Sequence, residues 1–85
     1  MKTFSYVIKN NSGIHARPAG VLARNADKFT SEITMAKKEK SANLKKLISV
    51  MQLNVICGDT INVTINGEDE DAAFSNIKSY FEENL

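Results

Sequence analysis

Apolar and polar side chains alternate from Thr3 to Lys9, with Phe4, Tyr6 and Ile8 on one side and Ser5 and Lys9 on the other. A period of two sends successive side chains to opposite faces of an extended chain, so this stretch reads as a half-buried strand. Asn10-Asn11-Ser12-Gly13 is a turn cluster. The period then changes. From Ala16 to about Lys28, Ala19, Leu22, Ala23 and Ala26 recur at helical spacing and give one packing face. The small size of these residues suits a helix lying close against a sheet. Alternation returns from Thr30 to Lys37, with Ile33 and Met35 on one face. Lys37-Lys38-Glu39-Lys40 is a polar turn, and Ser41-Ala42-Asn43 a short strand paired across it.

Leu44, Leu47, Ile48, Met51 and Leu53 make a brief helix or helical turn before Asn54, and Cys57-Gly58-Asp59 turns the chain again. Thr60 to Asn66 is the clearest strand: Ile61, Val63 and Ile65 point inward and Asn62, Thr64 and Asn66 outward. Gly67 ends it. Glu68-Asp69-Glu70-Asp71 places negative charge at a helix start, where the dipole favours it. Ala73, Phe74, Ile77, Tyr80 and Phe81 then form the apolar stripe of a last helix. Strand, helix, strand, strand, short helix, strand, helix predicts a two-layer α/β sandwich, mostly antiparallel, with helices on one sheet face. Periodicity leaves the strand order open.

Length limits what such a pattern can build. Eighty-five residues make one small domain, expected over 1–85. A chain of this size buries only about 60% of its unfolded surface, so modest stability is expected. A net charge of +1 argues against a bulk electrostatic grip on nucleic acid. The single cysteine forms no internal disulfide, which fits a reducing cytoplasm. Met1-Lys2-Thr3-Phe4-Ser5 lacks the apolar core of a secretion signal, and no run approaches the roughly 18 apolar residues of a membrane span. The expectation is a soluble, cytoplasmic protein without nucleic-acid partners or direct membrane insertion.

The chemistry concentrates at Ser12-Gly13-Ile14-His15-Ala16-Arg17-Pro18-Ala19. The chain's only histidine stands at a predicted helix start, with Arg17 two residues on and the only proline, Pro18, next. Pro18 suits a first helical turn, where a missing N–H costs no intrahelical bond. Unpaired N–H groups and the helix dipole favour an anion there, and Arg17 adds a forked cationic donor suited to phosphate. A neutral imidazole is a good nucleophile near neutral pH. These residues fit a histidine that carries a phosphoryl group; taken alone they equally fit a capping or surface histidine. A metal site is not indicated, because there is no second histidine and Cys57 lies far along the chain.

The segment Gly13-Ile14-His15-Ala16-Arg17-Pro18-Ala19 resembles the active-site signature of the HPr family, the histidine-containing phosphocarriers of the bacterial sugar phosphotransferase system. Phe29-Thr30-Ser31-Glu32-Ile33-Thr34, Lys40-Ser41-Ala42-Asn43-Leu44-Lys45 and Gly67-Glu68-Asp69-Glu70 resemble the family at corresponding places, so the likeness runs through the chain. It implies an open-faced, four-stranded sheet covered by three helices. It implies a carrier rather than an enzyme, although such carriers are sometimes classed with phosphotransferases. His15 would accept a phosphoryl group on Nδ1 from phosphorylated enzyme I, itself charged by phosphoenolpyruvate, and pass it to the A domains of sugar-specific enzymes II. Arg17 would steady the group and Pro18 would set the helix start. Docking would use Leu47, Ile48 and Met51, rimmed by Arg17, Arg24, Lys45 and Lys46. No cofactor is implied, and a monomer is expected.

The chain also departs from the family. Gly20 and Asp27 differ from residues common near the docking surface. Lys46 stands where many relatives, especially from Gram-positive bacteria, carry a serine phosphorylated by a dedicated ATP-dependent kinase. A lysine cannot form that phosphoester, and it puts positive charge where phosphorylation would add about −2. The regulatory serine is therefore absent, with Ser41 and Ser49 nearby as alternative acceptors. Two other readings compete with the sugar carrier: a binding module of the same fold acting on regulators, and a carrier for a nitrogen-linked branch. An acylphosphatase-like enzyme or a nucleic-acid-binding sheet has little support, since there is no Trp, the aromatics point mostly inward and the charge is nearly neutral.

Overall fold

The computed structural model describes all 85 residues. The elements are β1 (Lys2–Val7), α1 (Ala16–Asp27), β2 (Glu32–Lys37), β3 (Lys40–Asn43), α2 (Leu47–Gln52), β4 (Thr60–Asn66) and α3 (Glu70–Asn84). Their order is the one the hydrophobic pattern predicts. The four strands form one sheet in the order β1-β4-β2-β3, and every pairing is antiparallel. The central strand β4 sets the register, with Val63 opposite Phe4 on one side and Met35 on the other. Phe4, Ile33, Met35, Ala42, Ile61, Val63 and Ile65 all turn to the helical layer and join one buried cluster. The opposite face carries Thr3, Ser5, Asn62, Glu32, Thr34, Ser41 and Asn43, all exposed. Such alternation is what a sheet covered on one face requires.

Ala19, Leu22, Ala23 and Ala26 form the buried face of α1, as their spacing predicts. Three of these four are alanines, but the elements that α1 approaches most closely are the other two helices and not the sheet, a correction to the expectation from their small size. Helix α1 packs against both α2 and α3. Helix α3 buries Ala73, Ile77 and Phe81, while Phe74 and Tyr80 are half-buried at the margins of the stripe. Phe4 meets Phe74 and Phe81 edge-on, with ring centroids 5.6 and 5.7 Å apart, a favoured aromatic geometry.

β1 and β3 each start one residue earlier than the pattern, at Lys2 and Lys40, and two other boundaries are moved by hydrogen bonds. β2 begins at Glu32 rather than Thr30 because the Asp69 carboxylate takes the N–H groups of Thr30 (2.8 Å) and Ser31 (3.0 Å) out of the sheet. β1 ends at Val7 rather than Lys9 because the Lys9 N–H turns to the Leu85 carbonyl, 2.6 Å away. The short helix is also narrower than its apolar run. Leu44 and Leu53 are buried but flank α2, whose own core contact is Val50.

Candidate functional site

The loop from Lys9 to His15 joins β1 to α1, and both of its sides are fastened. The N–H groups of Lys9 and Asn10 donate to the Leu85 carbonyl, and Asn10 Nδ2 donates to the Asn84 carbonyl at 3.2 Å. Asn10 Oδ1 accepts the N–H of Ser12 at 2.8 Å, a side-chain turn of the kind asparagine favours. On the other side the Ile14 N–H donates to the Val55 carbonyl at 3.1 Å. Gly13 makes this approach possible. Its φ is +65°, and a Cβ there would lie 2.4 Å from the Val55 oxygen and 2.8 Å from the Ile56 Cα. Only glycine meets both demands.

His15 is therefore delivered to the N-cap of α1 in extended conformation, with φ −96° and ψ −170°. Its carbonyl accepts the Ala19 N–H, the first bond of the helix, but its ring makes no cap hydrogen bond and is exposed. The N–H groups of Ala16 and Arg17 have no intrahelical acceptor, Pro18 has no N–H, and no acidic residue occupies the first turn. The helix start is open to an anion. Arg17 is exposed, and the chain's ion pairs form elsewhere: Met1 with Glu70, Lys2 with Asp71, Lys37 with Asp59. Pro18 is buried beneath this turn.

His15, Arg17 and Pro18 line one shallow cleft of about 250 Å³ with Asn10, Tyr80 and Asn84. The last three were not singled out by sequence reasoning. Tyr80 belongs to the apolar stripe of α3, and only the fastening of the loop to the end of that helix brings it beside His15.

Leu47, Ile48 and Met51 remain 38%, 64% and 40% exposed on α2, so the short helix offers its apolar surface to solvent instead of burying it. Of the basic rim, Lys46 is exposed at the α2 N-cap and makes no cap hydrogen bond. The Arg24 guanidinium folds over Gly20, with Nη1 3.9 Å from where a Cβ would stand. Lys45 is committed inward, its Nζ donating to the Phe29 carbonyl at 2.6 Å just beyond the end of α1. Ile56, 55% exposed and directly behind Gly13, adds an apolar residue beside the His15 loop. The isolated Ile56 has no periodic signal in sequence; its position follows from the contact of two loops. Ser41 and Ser49 line one hollow with Lys40, Asn43 and Gln52.

A family model described as the PTS HPr component phosphorylation site matches residues 2–83. The chain is 44% identical over 78 residues to the phosphocarrier protein HPr of Mycoplasma capricolum, covering 92% of this chain and 88% of that protein. It is 42% identical over 85 residues to the HPr of Mycoplasma genitalium, covering 99% of this chain and 97% of that one. A solved structure of a mycoplasma histidine-containing phosphocarrier protein superposes with a TM-score of 0.94 at 40% identity, over 96% of this chain and 93% of that one.

Proposed function

Because this chain belongs to the HPr family and is a phosphocarrier of the phosphotransferase system, we propose that His15 is the residue that carries the phosphoryl group. The observation that carries this reading is the exposed, uncapped imidazole at an open helix start, with an unpaired Arg17 lining the same cleft. A phosphoramidate keeps a high transfer potential, which a serine phosphoester would not. Phosphoryl transfer passes through a loose, charge-spread transition state, so position and positive charge matter most. The carrier supplies the histidine and the guanidinium, and its partners complete each reaction site. It is not itself a complete enzyme.

His15 accepts from phosphorylated enzyme I and donates to the A domains of enzymes II. Both dock on Leu47, Ile48 and Met51, whose exposed cluster on α2 suits a protein contact, with Arg17, Arg24 and Lys46 steering acidic partners. Lys45 takes part through its hold on Phe29, which positions the turn ahead of α2. Residues 1–85 act as one HPr domain and as a monomer. No helix is long and apolar enough to cross a membrane, and a cytoplasmic site of action matches the partners proposed. With Lys46 in place of a serine, docking is not switched at that position.

Incubation with enzyme I and labelled phosphoenolpyruvate tests the assignment. The wild-type protein should take up acid-labile, base-stable phosphate, and His15→Ala should take up none. Undiminished label on the folded variant would overturn it.

A further inference from the structure

The cleft beside His15 has a second wall, contributed by the last turns of α3, and we propose that this wall holds the phosphoryl group while it rests on His15, with the Tyr80 hydroxyl as a positioning donor opposite Arg17. The inference deepens the reading of His15 as the phosphorylated residue and rests on it. Asn10, Tyr80 and Asn84 face His15, Arg17 and Pro18 across about 250 Å³, and no carboxylate lines the space. A helix C-terminus ordinarily opposes an anion, through the negative end of its dipole and its bare carbonyls. Here the acceptors nearest the cleft are occupied. Asn84 Nδ2 donates to the Tyr80 carbonyl at 3.2 Å and the Leu85 N–H to that of Phe81 at 2.9 Å. Asn10 Nδ2 covers the Asn84 carbonyl, and the Lys9 and Asn10 N–H groups cover that of Leu85. Tyr80 brings a phenol to this wall, and Asn10 and Asn84 bring carboxamides that each already donate to a helix-end carbonyl.

Tyr80 suits the role because its ring packs against the core, which limits the movement of its hydroxyl. On loading, the bond between phosphorus and the donor's nitrogen breaks, that nitrogen keeps the electron pair, and a bond forms from phosphorus to His15. Tyr80 keeps its proton throughout and donates a hydrogen bond to a phosphoryl oxygen. In a loose transition state the phosphoryl group flattens as the P–N bond lengthens, so its oxygens leave the positions they hold at rest. A neutral donor fixed to the resting position therefore stabilises the resting phosphohistidine more than the transition state, whereas the full charge of Arg17 serves both. Spontaneous loss, in which water bonds to phosphorus, the P–N bond breaks and the imidazole gains a proton, is slowed. The wall makes the carrier retain its cargo between partners.

Phosphorylated wild type, Tyr80→Phe, Asn84→Asp and Tyr6→Phe, each prepared with enzyme I and phosphoenolpyruvate, test this by ³¹P NMR. Tyr80→Phe keeps the ring, and its phosphohistidine half-life should fall about two- to tenfold, the scale of one lost hydrogen bond. Its phosphorus resonance should shift from that of wild type. Asn84→Asp puts a carboxylate in the cleft and should load more slowly, whereas Tyr6→Phe, which does not line it, should match wild type. Wild-type loading at His15 with the same half-life and resonance in Tyr80→Phe would overturn the role of the wall alone. Failure of the wild type to load would remove the carrier reading as well.

Discussion

At the scale of single residues, the site depends on a few positions with no tolerable substitute. Gly13 combines a left-handed conformation with backbone contact, so Gly13→Ala should cost about 2 kcal/mol or more in denaturant unfolding. It should also slow loading, because the displaced loop carries His15. Unchanged stability would mean that the loop can separate from Val55 without cost. Arg17 has the opposite profile. It is exposed and unpaired, so Arg17→Lys should leave stability within about 0.5 kcal/mol of wild type. Stopped-flow transfer from enzyme I should nevertheless slow, since a lysine keeps the charge but loses the forked donors. His15, Arg17 and Pro18 were legible in sequence because one helix start places all three. Asn10, Tyr80 and Asn84 were not, because they reach the cleft through hydrogen bonds between residues some seventy positions apart, such as Asn10 to Asn84.

At the scale of elements, the N-cap of the short helix α2 is where helix stability and the proposed loss of the serine switch can be tested in one variant. Lys46 is its N-cap and offers no side-chain acceptor to the free N–H groups. A serine there would accept one of them, so Lys46→Ser should raise stability by about 1 kcal/mol, measured by chemical denaturation. The same variant should become a substrate for an HPr kinase with labelled ATP, while the unaltered protein should not. Acid-stable serine phosphate on the unaltered protein would show that Ser41 or Ser49 serves instead. Element type and order were readable from periodicity, and so were the inward residues of β4 and α1. The start of β2 was not, because the choice at Thr30 and Ser31 is made by Asp69, an acid placed beside them only when α3 docks.

For the whole molecule, strand order is the feature that local pattern could not supply. β4 pairs with β1 and β2, far from it in the chain, and such long-range pairings depend on which apolar faces meet. Asp69 binds one such junction together. The Ser31 hydroxyl and the Thr30 N–H hold the pKa of its carboxyl down to about 2, well below the usual carboxylate range. The stability this confers is complete above pH 4 and is lost as the pH falls toward 2, since the unfolded chain takes up the proton first. Asp59 and Glu70 are also lowered, by the Ile56 N–H with Lys37 and by the N-terminal amine with the Gly67 N–H, and add to the same acid loss. Urea midpoints between pH 6 and pH 2 should fall steeply for wild type and less for Asp69→Asn; parallel curves would remove Asp69 from this account. The function proposed for the whole fold is to carry a reactive histidine between two partners, and a label chase tests that most directly. Protein loaded with labelled phosphate and freed of enzyme I is mixed with an enzyme II A domain. Label should leave His15 and appear on the A domain faster than it is released as inorganic phosphate. Label that stays on His15, or leaves only as inorganic phosphate, would contradict the carrier role.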